Sequence, residues 1–401
     1  YEQQMDECAA AIGMDPLEFR TRNYLQTGDC NATGQQIKSA VWLEESATRA
    51  LAALDELPPA DPVLAKGGEH IKIGRGFASH MTSYGRITWL HDTSQAWVGL
   101  EMDGSVVIRC GVPDLGGGQM SSLAQIVGEV LGVPLDRISV YSTDSAVTPL
   151  AGTTTATRQL YMSGNAALQA AQAVRATLLD RASYHFEVPA EELDLADSQV
   201  FVTADPSQKI ALPELIAVCA AEGRHLANLA LFKAPFSERL DAETGQGDVF
   251  PDFTFGAHAV EVAVDTETGE VTLLKSVGCH DVGRAINPAA VVGQIAGGAA
   301  QGLGYALTED FILVDGVTRT PSLTEYLVPT ARDLPTTEAI ILESGTGVGP
   351  FGAKGIGEPA LVPAAPAVAN AVANAIGVRI HELPITPERV LAALDAKRTG
   401  N

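Results

Sequence analysis

The feature that most constrains this chain is a glycine- and proline-rich stretch near the end of the sequence, residues 347–359, which reads GVGPFGAKGIGEP. Glycine and proline occupy more than half of its positions, so it cannot continue as a helix or as the centre of a strand. The stretch ends in a single carboxylate, Glu358. A carboxylate held in such a loop is a candidate catalytic base, and a solvated glutamate on a surface loop is the alternative of equal weight.

Two nucleotide-binding motifs can be excluded in this stretch. Gly347, Gly349 and Gly352 spell G-x-G-x-x-G, but a dinucleotide fingerprint requires a helix directly behind it, and the glycines and proline that follow forbid one. Lys354 is not adjacent to the preceding glycine, and no Ser or Thr follows it to reach magnesium, so the phosphate-loop pattern also fails. The stretch therefore indicates neither a kinase nor an ATPase.

Composition limits the classes of partner. The 401 residues, 46% of them hydrophobic, suffice for two or more packed lobes. A formal net charge of -23 argues against binding to nucleic acid or to an anionic membrane. The five cysteines lack C-x-x-C spacing, which excludes a disulfide framework, a zinc site and an iron–sulfur site, and we expect a cytoplasmic protein. The most apolar run, residues 361–378, contains prolines and asparagines that a membrane-spanning helix tolerates badly.

Residue patterns predict an α+β fold of mixed sheets with packed helices, in three segments. Residues 1–66 read as a helical lead-in and linker, residues 67–250 as an α+β lobe, and residues 251–401 as a second α+β lobe that carries the glutamate. Asp103-Gly104 predicts a hairpin turn, and Asn287-Pro288 predicts the start of a helix that runs to about residue 307. Further helices are predicted at 119–130, 166–179 and 213–221, and strands at 138–142, 257–264 and 271–277.

Three loops could hold one ligand. Gly116-Gly117-Gly118 precedes the helix that begins at Gln119, where backbone N–H groups suit an anion or a polar heterocycle, although a plain tight turn is the commoner case. Residues 152–159, GTTTATRQ, offer hydroxyls and an arginine, and a solvated loop is again the alternative. Gln294 lies in a helix of small residues, where a glutamine packs or contacts a neighbouring loop. We expect no metal site made of protein ligands, because Cys279, His280 and Asp281 alternate between the faces of a strand.

The glycine-rich stretch, the continuation from 361 to 380 and the sequence LPITPER at 383–389 together resemble the molybdenum hydroxylases, the xanthine dehydrogenase and aldehyde oxidase family. The resemblance implies two lobes of a molybdopterin-binding domain, with Glu358 as the catalytic base. It implies that the cofactor is molybdopterin cytosine dinucleotide with sulfido-oxo molybdenum. In this cofactor the sulfur atoms of the pterin, and not protein side chains, bind the metal. The family has glutamine where Gly117 stands, and Gln119 is the candidate replacement. The implied cofactor-binding residues are Gly116, Gly117, Gly118, Gln119, Ala156, Thr157, Arg158, Gln159, Gln294 with Gln301 as its alternative, Lys354 and Gly355.

The resemblance also implies partners and a reaction. Residues 5–29 resemble a piece from the middle of the family's molybdenum subunit, so we expect a second chain to supply the N-terminal half, as in nicotinate dehydrogenase. A [2Fe-2S] subunit and a FAD subunit are expected to accept electrons. The implied reaction is hydroxylation of an aromatic N-heterocycle of purine or nicotinate type, with Arg86 and Ile87 near the substrate. Aldehyde oxidation, dehydroxylation of an aromatic thioester and a non-catalytic scaffold are the alternatives.

Overall fold

The chain has an α+β fold, seen here in a computed structural model that describes residues 1–85, 93–234 and 240–400. Within these ranges the helices are α1 Glu2–Ala11, α2 Pro16–Asn23, α3 Leu43–Glu56, α4 Gln119–Leu131, α5 Gln159–Phe186, α6 Leu212–Ala221, α7 Pro288–Leu307, α8 Ala364–Ile376 and α9 Pro387–Thr399. The strands are β1 Ile71–Tyr84, β2 Thr93–Leu100, β3 Val106–Arg109, β4 Ile138–Tyr141, β5 Leu193–Ala196, β6 Gln199–Val202, β7 Asp205–Ala211, β8 Ala227–Lys233, β9 Asp252–Asp265, β10 Val271–Asp281, β11 Leu313–Val314, β12 Val317–Thr318 and β13 Thr337–Leu342.

The central sheet has the strand order β1-β9-β10-β13. β1 pairs antiparallel with β9 from Ile71 opposite Asp265 to Tyr84 opposite Asp252, and β13 runs parallel to β10. Helix α3 packs against β9 and β10, and α8 packs against β1 and β9. β9 is buried along nearly its whole length, as expected for a strand covered on both faces. β1 comes from the segment predicted as the first lobe yet joins the sheet of the second, and the domain boundaries stay a prediction.

A second sheet, in the order β4-β3-β2-β8, lies against the long helix α5. Val98 and Ile108 of this sheet pack with Ala167 and Ala171 of α5 in the largest hydrophobic cluster, which α4 and α6 also enter. Alanines along one face of α5 let the helix lie close to the strands. A small sheet, β5-β6-β7, follows α5. The two larger sheets thus hold the N-terminal ends of α4, α5 and α7, which line the site described below.

The predicted elements are largely present, with one correction. The hairpin at Asp103-Gly104 and the helix opened by Asn287 are confirmed, and the Asn287 side chain caps α7 by accepting from the backbone N–H of Ala290. The predicted helix start at residue 166 is wrong, because α5 already begins at Gln159. Polar residues inside α5 serve packing instead: the side chain of Asn165 donates to the carbonyl of Val348, at 2.9 Å.

Three histidines are buried in the central sheet, one each on β1, β9 and β10: His80, His258 and His280. Nε2 of His80 lies 3.0 Å from Nδ1 of His280, and Nε2 of His258 lies 3.0 Å from the hydroxyl of Ser276. Gly256 sits between His80 and His280, and an ideal Cβ there would lie 2.3 Å from one ring and 2.6 Å from the other. Burial lowers the pKa of His80 to about 3 and that of His258 to about 4, so the imidazoles are neutral at pH 7.

None of the described helices combines the length and apolar character that crossing a membrane requires. Nor do the described residues contain a group of three or more His, Cys, Asp or Glu arranged to hold a metal ion.

Candidate active site

A cavity of about 270 Å³ lies where the N-terminal ends of α4, α5 and α7 meet the glycine-rich stretch. It brings together nine of the residues predicted from the sequence: Gly117, Gln119, Thr157, Arg158, Gln159, Gln294, Lys354, Gly355 and Glu358. Gly116, Gly118, Ala156 and Gln301 are absent from its lining. Arg86 and Ile87, predicted near the substrate, lie outside the described residues.

Glu358 is exposed at the edge of this cavity and is held by Thr157. The Thr157 hydroxyl donates to Oε2 of Glu358, at 2.8 Å, and accepts from the Glu358 backbone N–H, at 3.2 Å. The adjoining carbonyl of Gly357 accepts from the side-chain amide of Gln294, at 3.0 Å. One hydroxyl therefore fixes both the backbone and the side chain of the candidate base, and α7 fixes the residue before it.

The backbone that presents Thr157 is strained. Ala156 and Thr157 have φ angles of 51° and 55°, in the left-handed region that residues with a Cβ rarely occupy. Such a conformation costs about 1–3 kcal/mol per residue and persists where the surroundings enforce it. Here the Ala156 carbonyl accepts from the backbone N–H of Gly85, at 2.9 Å. A Cβ on Gly355 would lie 2.3 Å from the Thr157 carbonyl oxygen, so only glycine permits this approach.

Replacing Thr157 by Val is expected to lower turnover by roughly 10-fold, because the isosteric side chain keeps the packing but loses both hydrogen bonds to Glu358. Because Thr157 acts through Glu358, kcat should fall more than KM rises. Steady-state kinetics of the purified enzyme measures both. Thr157→Ser retains the hydroxyl and should restore activity, whereas equal loss in the Ser and Val variants would show that the hydroxyl does not position the base.

Arg158 braces the loop that precedes it. Its buried guanidinium donates to the carbonyl of Thr153 at 2.6 Å and to the carbonyl of Thr93 at 3.1 Å. The guanidinium of Arg158, predicted from the sequence to contact the cofactor, thus contacts backbone carbonyls of its own chain. Gln159 contributes similarly, because its amide donates to the hydroxyl of Thr154 at 2.9 Å.

Lys354 lines the cavity, and its ammonium is engaged by a buried carboxylate. Nζ of Lys354 lies 2.7 Å from Oδ2 of Asp281, and both side chains are fully inaccessible to solvent. Asp281 also accepts from the backbone N–H of Gly283 and from Ser344. The pair joins the end of β10 to the glycine-rich stretch and so fixes the loop on which Glu358 lies.

Replacing Lys354 by Met is expected to lower the free energy of unfolding by about 3–5 kcal/mol, because it leaves the Asp281 carboxylate buried without its counter-charge. Chemical denaturation measures the loss. Lys38→Met is the matched control, since Lys38 pairs with Asp248 at 3.7 Å on the surface and its loss should cost under about 1 kcal/mol. Adding Asp281→Asn to Lys354→Met should recover part of the stability. Equal small losses in both Lys variants would contradict the assignment.

The three-glycine loop binds its own aspartate. The backbone N–H groups of Gly116 and Gly118 both donate to Oδ1 of Asp114, at 2.9 and 3.2 Å, so these donors are already used. An ideal Cβ on Gly117 would lie 2.8 Å from Nε2 of Gln119, which places the Gln119 side chain where a side chain of residue 117 would extend. The buried Oε1 of Gln119 has no hydrogen-bond partner among the described residues. This geometry suits the predicted replacement, which stays a prediction.

The cavity also includes residues that sequence reasoning did not select. The hydroxyl-bearing Thr154 and Thr155 belong to the loop already identified, whereas Leu115 carried no signal. Arg284 and Asn287 come from the segment before α7, whereas the residue selected from the sequence in this region, Gln294, lies inside α7. The sequence did offer one indication of this part of the cavity lining: Arg284 is a cation that follows a glycine in a strongly acidic chain.

Comparison with known proteins identifies the family. The family model described as a molybdopterin cofactor-binding domain matches residues 49–335, most of the chain. The chain belongs to this family. The resemblance predicted from the glycine-rich stretch is therefore confirmed at family level.

Relatives of this molybdopterin-binding chain are about twice its length or more. It is 31% identical to the xanthine dehydrogenase molybdenum-binding subunit of Escherichia coli O157:H7, covering 97% of this chain and 51% of that one. It is 30% identical to the aldehyde oxidoreductase of Megalodesulfovibrio gigas, covering 98% and 40%. Quinoline 2-oxidoreductase from Pseudomonas putida 86 superposes with a TM-score of 0.85 at 26% identity, covering 98% and 51%. The chain thus spans about half the length, or less, of these proteins.

The cavity has features that fit a polar, flat cofactor. Gln119 lines the cavity, and its buried side-chain oxygen has no hydrogen-bond partner among the described residues, so it is available to accept from a cofactor N–H. Gly117 and Gly355 keep two walls free of side chains. The residues of this molybdopterin-binding chain that would hold the cofactor are therefore Gln119, Gln294 and the backbone around Gly355.

Proposed function

We propose that this chain is part of the molybdenum-binding unit of a molybdenum-dependent hydroxylase that acts on an aromatic N-heterocycle. The observation that carries the proposal is the position of Glu358, held by Thr157 beside a cavity that gathers nine residues predicted to serve the cofactor and catalysis. A carboxylate oriented in this way at a polar cavity suits general base catalysis. The cofactor, which we take to be molybdopterin cytosine dinucleotide, supplies two-electron redox chemistry and oxygen derived from water.

The residues of the chain have separate tasks in this proposal. Glu358 accepts a proton during hydroxylation, and its exposure leaves the carboxylate accessible to a substrate and to water. Thr157 and Gln294 orient it through the hydrogen bonds described above. The buried pair of Lys354 and Asp281 holds the loop in place. A positioned carboxylate typically contributes roughly 10²–10⁴-fold as a general base.

Relatives support the substrate class. Xanthine and quinoline, for which two of the relatives are named, are aromatic rings in which a carbon beside nitrogen is electron-poor. A third relative is named for aldehydes, and aldehyde oxidation is the competing candidate. We propose that the missing half of the unit, a [2Fe-2S] group and FAD lie outside this chain. We place the assembly in the cytoplasm, which suits five free cysteines.

The test uses the complete assembly purified from its native host. Metal analysis should find molybdenum and pterin, and a screen of N-heterocycles and aldehydes with an artificial electron acceptor should show the highest kcat/KM for a heterocycle. Preference for an aldehyde would move the chain to the competing substrate class. A complex without molybdenum and pterin, purified with every partner, would overturn the proposal and indicate a scaffold.

A further inference from the structure

A set of polar side chains crosses the central sheet from β1 to β13, and the proposed function does not use it. His80 of β1 is paired with Gly256 of β9, which is paired in turn with His280 of β10. Beside them, His258 of β9 is paired with Gly278 of β10. Paired residues, and residues two apart on one strand, point to the same face of a sheet. We call this set the polar row; in the order of its contacts it contains Thr82, His80, His280, His258, Ser276 and Thr337.

The first half of the polar row joins β1 to β10. Nδ1 of His80 lies 2.8 Å from the hydroxyl of Thr82, and Nε2 of His80 lies 3.0 Å from Nδ1 of His280. Thr82 is partly exposed, whereas both histidines are buried. This half therefore begins near the surface and ends inside the protein, at Nε2 of His280.

The second half of the polar row joins β9 to β13. Nε2 of His258 lies 3.0 Å from the hydroxyl of Ser276, which lies 2.8 Å from the hydroxyl of Thr337. His258 and Ser276 are buried, and Thr337 is partly exposed. This half also begins near the surface, and it ends inside the protein at Nδ1 of His258.

The two inner ends of the polar row are unpaired ring nitrogens. Nε2 of His280 and Nδ1 of His258 are buried, and neither has a hydrogen-bond partner among the described residues. A neutral imidazole carries one donor nitrogen and one acceptor nitrogen, so each ring here uses only half of its capacity. A buried polar atom without a partner loses its hydration and gains nothing in return. Two such atoms on neighbouring strands therefore require an explanation.

Both unpaired nitrogens face the same point, above Gly278. An ideal Cβ on Gly278 would lie 3.3 Å from Nδ1 of His258 and 3.4 Å from Nε2 of His280. The other glycine of the row provides the comparison: a Cβ on Gly256 would lie 2.3 Å from Nδ1 of His280 and 2.6 Å from Nε2 of His80, and those two nitrogens bond directly. Above Gly278 the nitrogens stand farther from the backbone and make no direct bond. Their separation suits two hydrogen bonds in series through one small molecule.

The surroundings favour water over an ion as that molecule. The described residues contain no group of three or more His, Cys, Asp or Glu that could hold a metal, and the two imidazoles offer a cation no counter-charge. A water molecule can donate to one nitrogen and accept from the other, whichever tautomers the rings adopt. The Cγ2 methyl of Ile295 lies 2.8 Å from the ideal Cβ position on Gly278, so α7 covers the site. Buried waters in proteins typically join about two to four polar groups that would otherwise be unsatisfied.

We propose that one buried water molecule binds above Gly278, between Nδ1 of His258 and Nε2 of His280, and joins the two halves of the polar row. The proposal does not rest on the proposed function, because the described lining of the cavity includes no side chain of the row. It also explains the glycine at position 278, since any Cβ there would occupy the space that the water needs.

The completed row fixes how the strands of the central sheet align. Hydrogen bonds then run without interruption from Thr82 on β1 to Thr337 on β13, and bonds in such a chain strengthen one another. A slip of one residue between two strands would turn the imidazoles toward the opposite face and leave them buried without partners. The bound water is thus a structural component of the sheet.

The first experiment is a crystal structure of the complete assembly, from the unaltered protein, at a resolution that shows ordered water. A density peak should lie about 2.7–3.2 Å from both Nδ1 of His258 and Nε2 of His280 and give no anomalous signal. A direct bond between the two nitrogens or the lack of any peak would overturn the proposal. A peak with the anomalous signal of a metal would also overturn it.

The second experiment uses the sign of a stability change. Ile295→Ala removes the methyl that covers Gly278, and Gly278→Ala in the same chain then places a Cβ at the point that both nitrogens face. Because the double variant displaces the water and leaves two buried nitrogens unpaired, its urea midpoint should lie below that of Ile295→Ala. Without a bound water, the new methyl only fills space vacated by Ile295 and restricts the unfolded chain, so the midpoint would rise.

The matched control adds Gly297→Ala to Ile295→Ala. An ideal Cβ on Gly297 meets nothing within 4 Å, so this second alanine should not lower the midpoint. A crystal structure of the Ile295→Ala, Gly278→Ala variant should lack the peak. A midpoint equal to or above that of Ile295→Ala would contradict the proposal. The first experiment decides the question even where a variant fails to fold, because it uses the unaltered protein.

Discussion

Replacing Glu358 by Gln is expected to lower turnover by roughly 10²–10⁴-fold or more, with the cofactor content unchanged. The amide keeps the size of the side chain and can still contact Thr157, whose hydroxyl lies 2.8 Å from Oε2 in the unaltered protein. It cannot accept a proton at neutral pH. Steady-state kinetics and molybdenum analysis of the purified complex check both halves of the prediction.

Glu338→Gln provides the control for this variant, because Glu338 is an exposed carboxylate on β13, away from the cavity lining. It should leave turnover unchanged. A Glu358→Gln complex with full molybdenum content and near-normal turnover would remove Glu358 from the mechanism. Loss of molybdenum in that variant would instead assign the carboxylate to cofactor retention.

Lowering the pH from 7 to 5 is expected to destabilise the fold strongly, because His80, His258 and His280 are buried as neutral imidazoles. In the unfolded chain a histidine binds a proton near pH 6.5, whereas burial lowers the pKa of folded His80 to about 3. Between these values the unfolded state binds more protons, so the free energy of unfolding falls as the pH falls. Each buried histidine contributes at most about 1.4 kcal/mol per pH unit within this window.

The measurement is the free energy of unfolding by urea at several pH values between 7 and 4.5. His80→Gln should flatten the slope by the share of one histidine, and His185→Gln, at an exposed position, should leave the slope unchanged. Carboxylates with a lowered pKa, such as Asp194 beside Arg175, act mainly below this range and do not confuse the result. A slope that is the same in all three proteins would show that the imidazoles do not control acid stability.

Local structure was predictable where short-range chemistry determines it. Asp103-Gly104 predicted the turn between β2 and β3. Asn287 and Pro288 predicted the start of α7, where they are the N-cap and the first-turn proline. The start of α5 was misjudged because Ser163 and Asn165 are residues typical of loops. Their helical state depends on tertiary partners, since the Ser163 hydroxyl lies 2.9 Å from that of Ser94 on another element.

The candidate site was predictable in its residues more than in its contacts. The glycine-rich stretch alone left a catalytic and a solvated Glu358 as equal alternatives, and the family resemblance favoured the catalytic one. The structure places Glu358 in the cavity lining. No local pattern could show that Thr157, about 200 residues earlier, holds that carboxylate. Nor could a pattern show that Lys354 forms an ion pair with Asp281. The two residues meet because the central sheet places the end of β10 next to the glycine-rich stretch.

The pairing of β1 with β9 has a consequence for biosynthesis. β1 ends at Tyr84 and β9 begins at Asp252, so the ribosome adds about 170 residues before the partner strand exists. At roughly 5–20 residues per second, the nascent chain carries β1 without its partner strand for roughly ten to thirty seconds. Open strand edges favour aggregation. Recombinant production should therefore gain more from added chaperones than from any change at the finished surface.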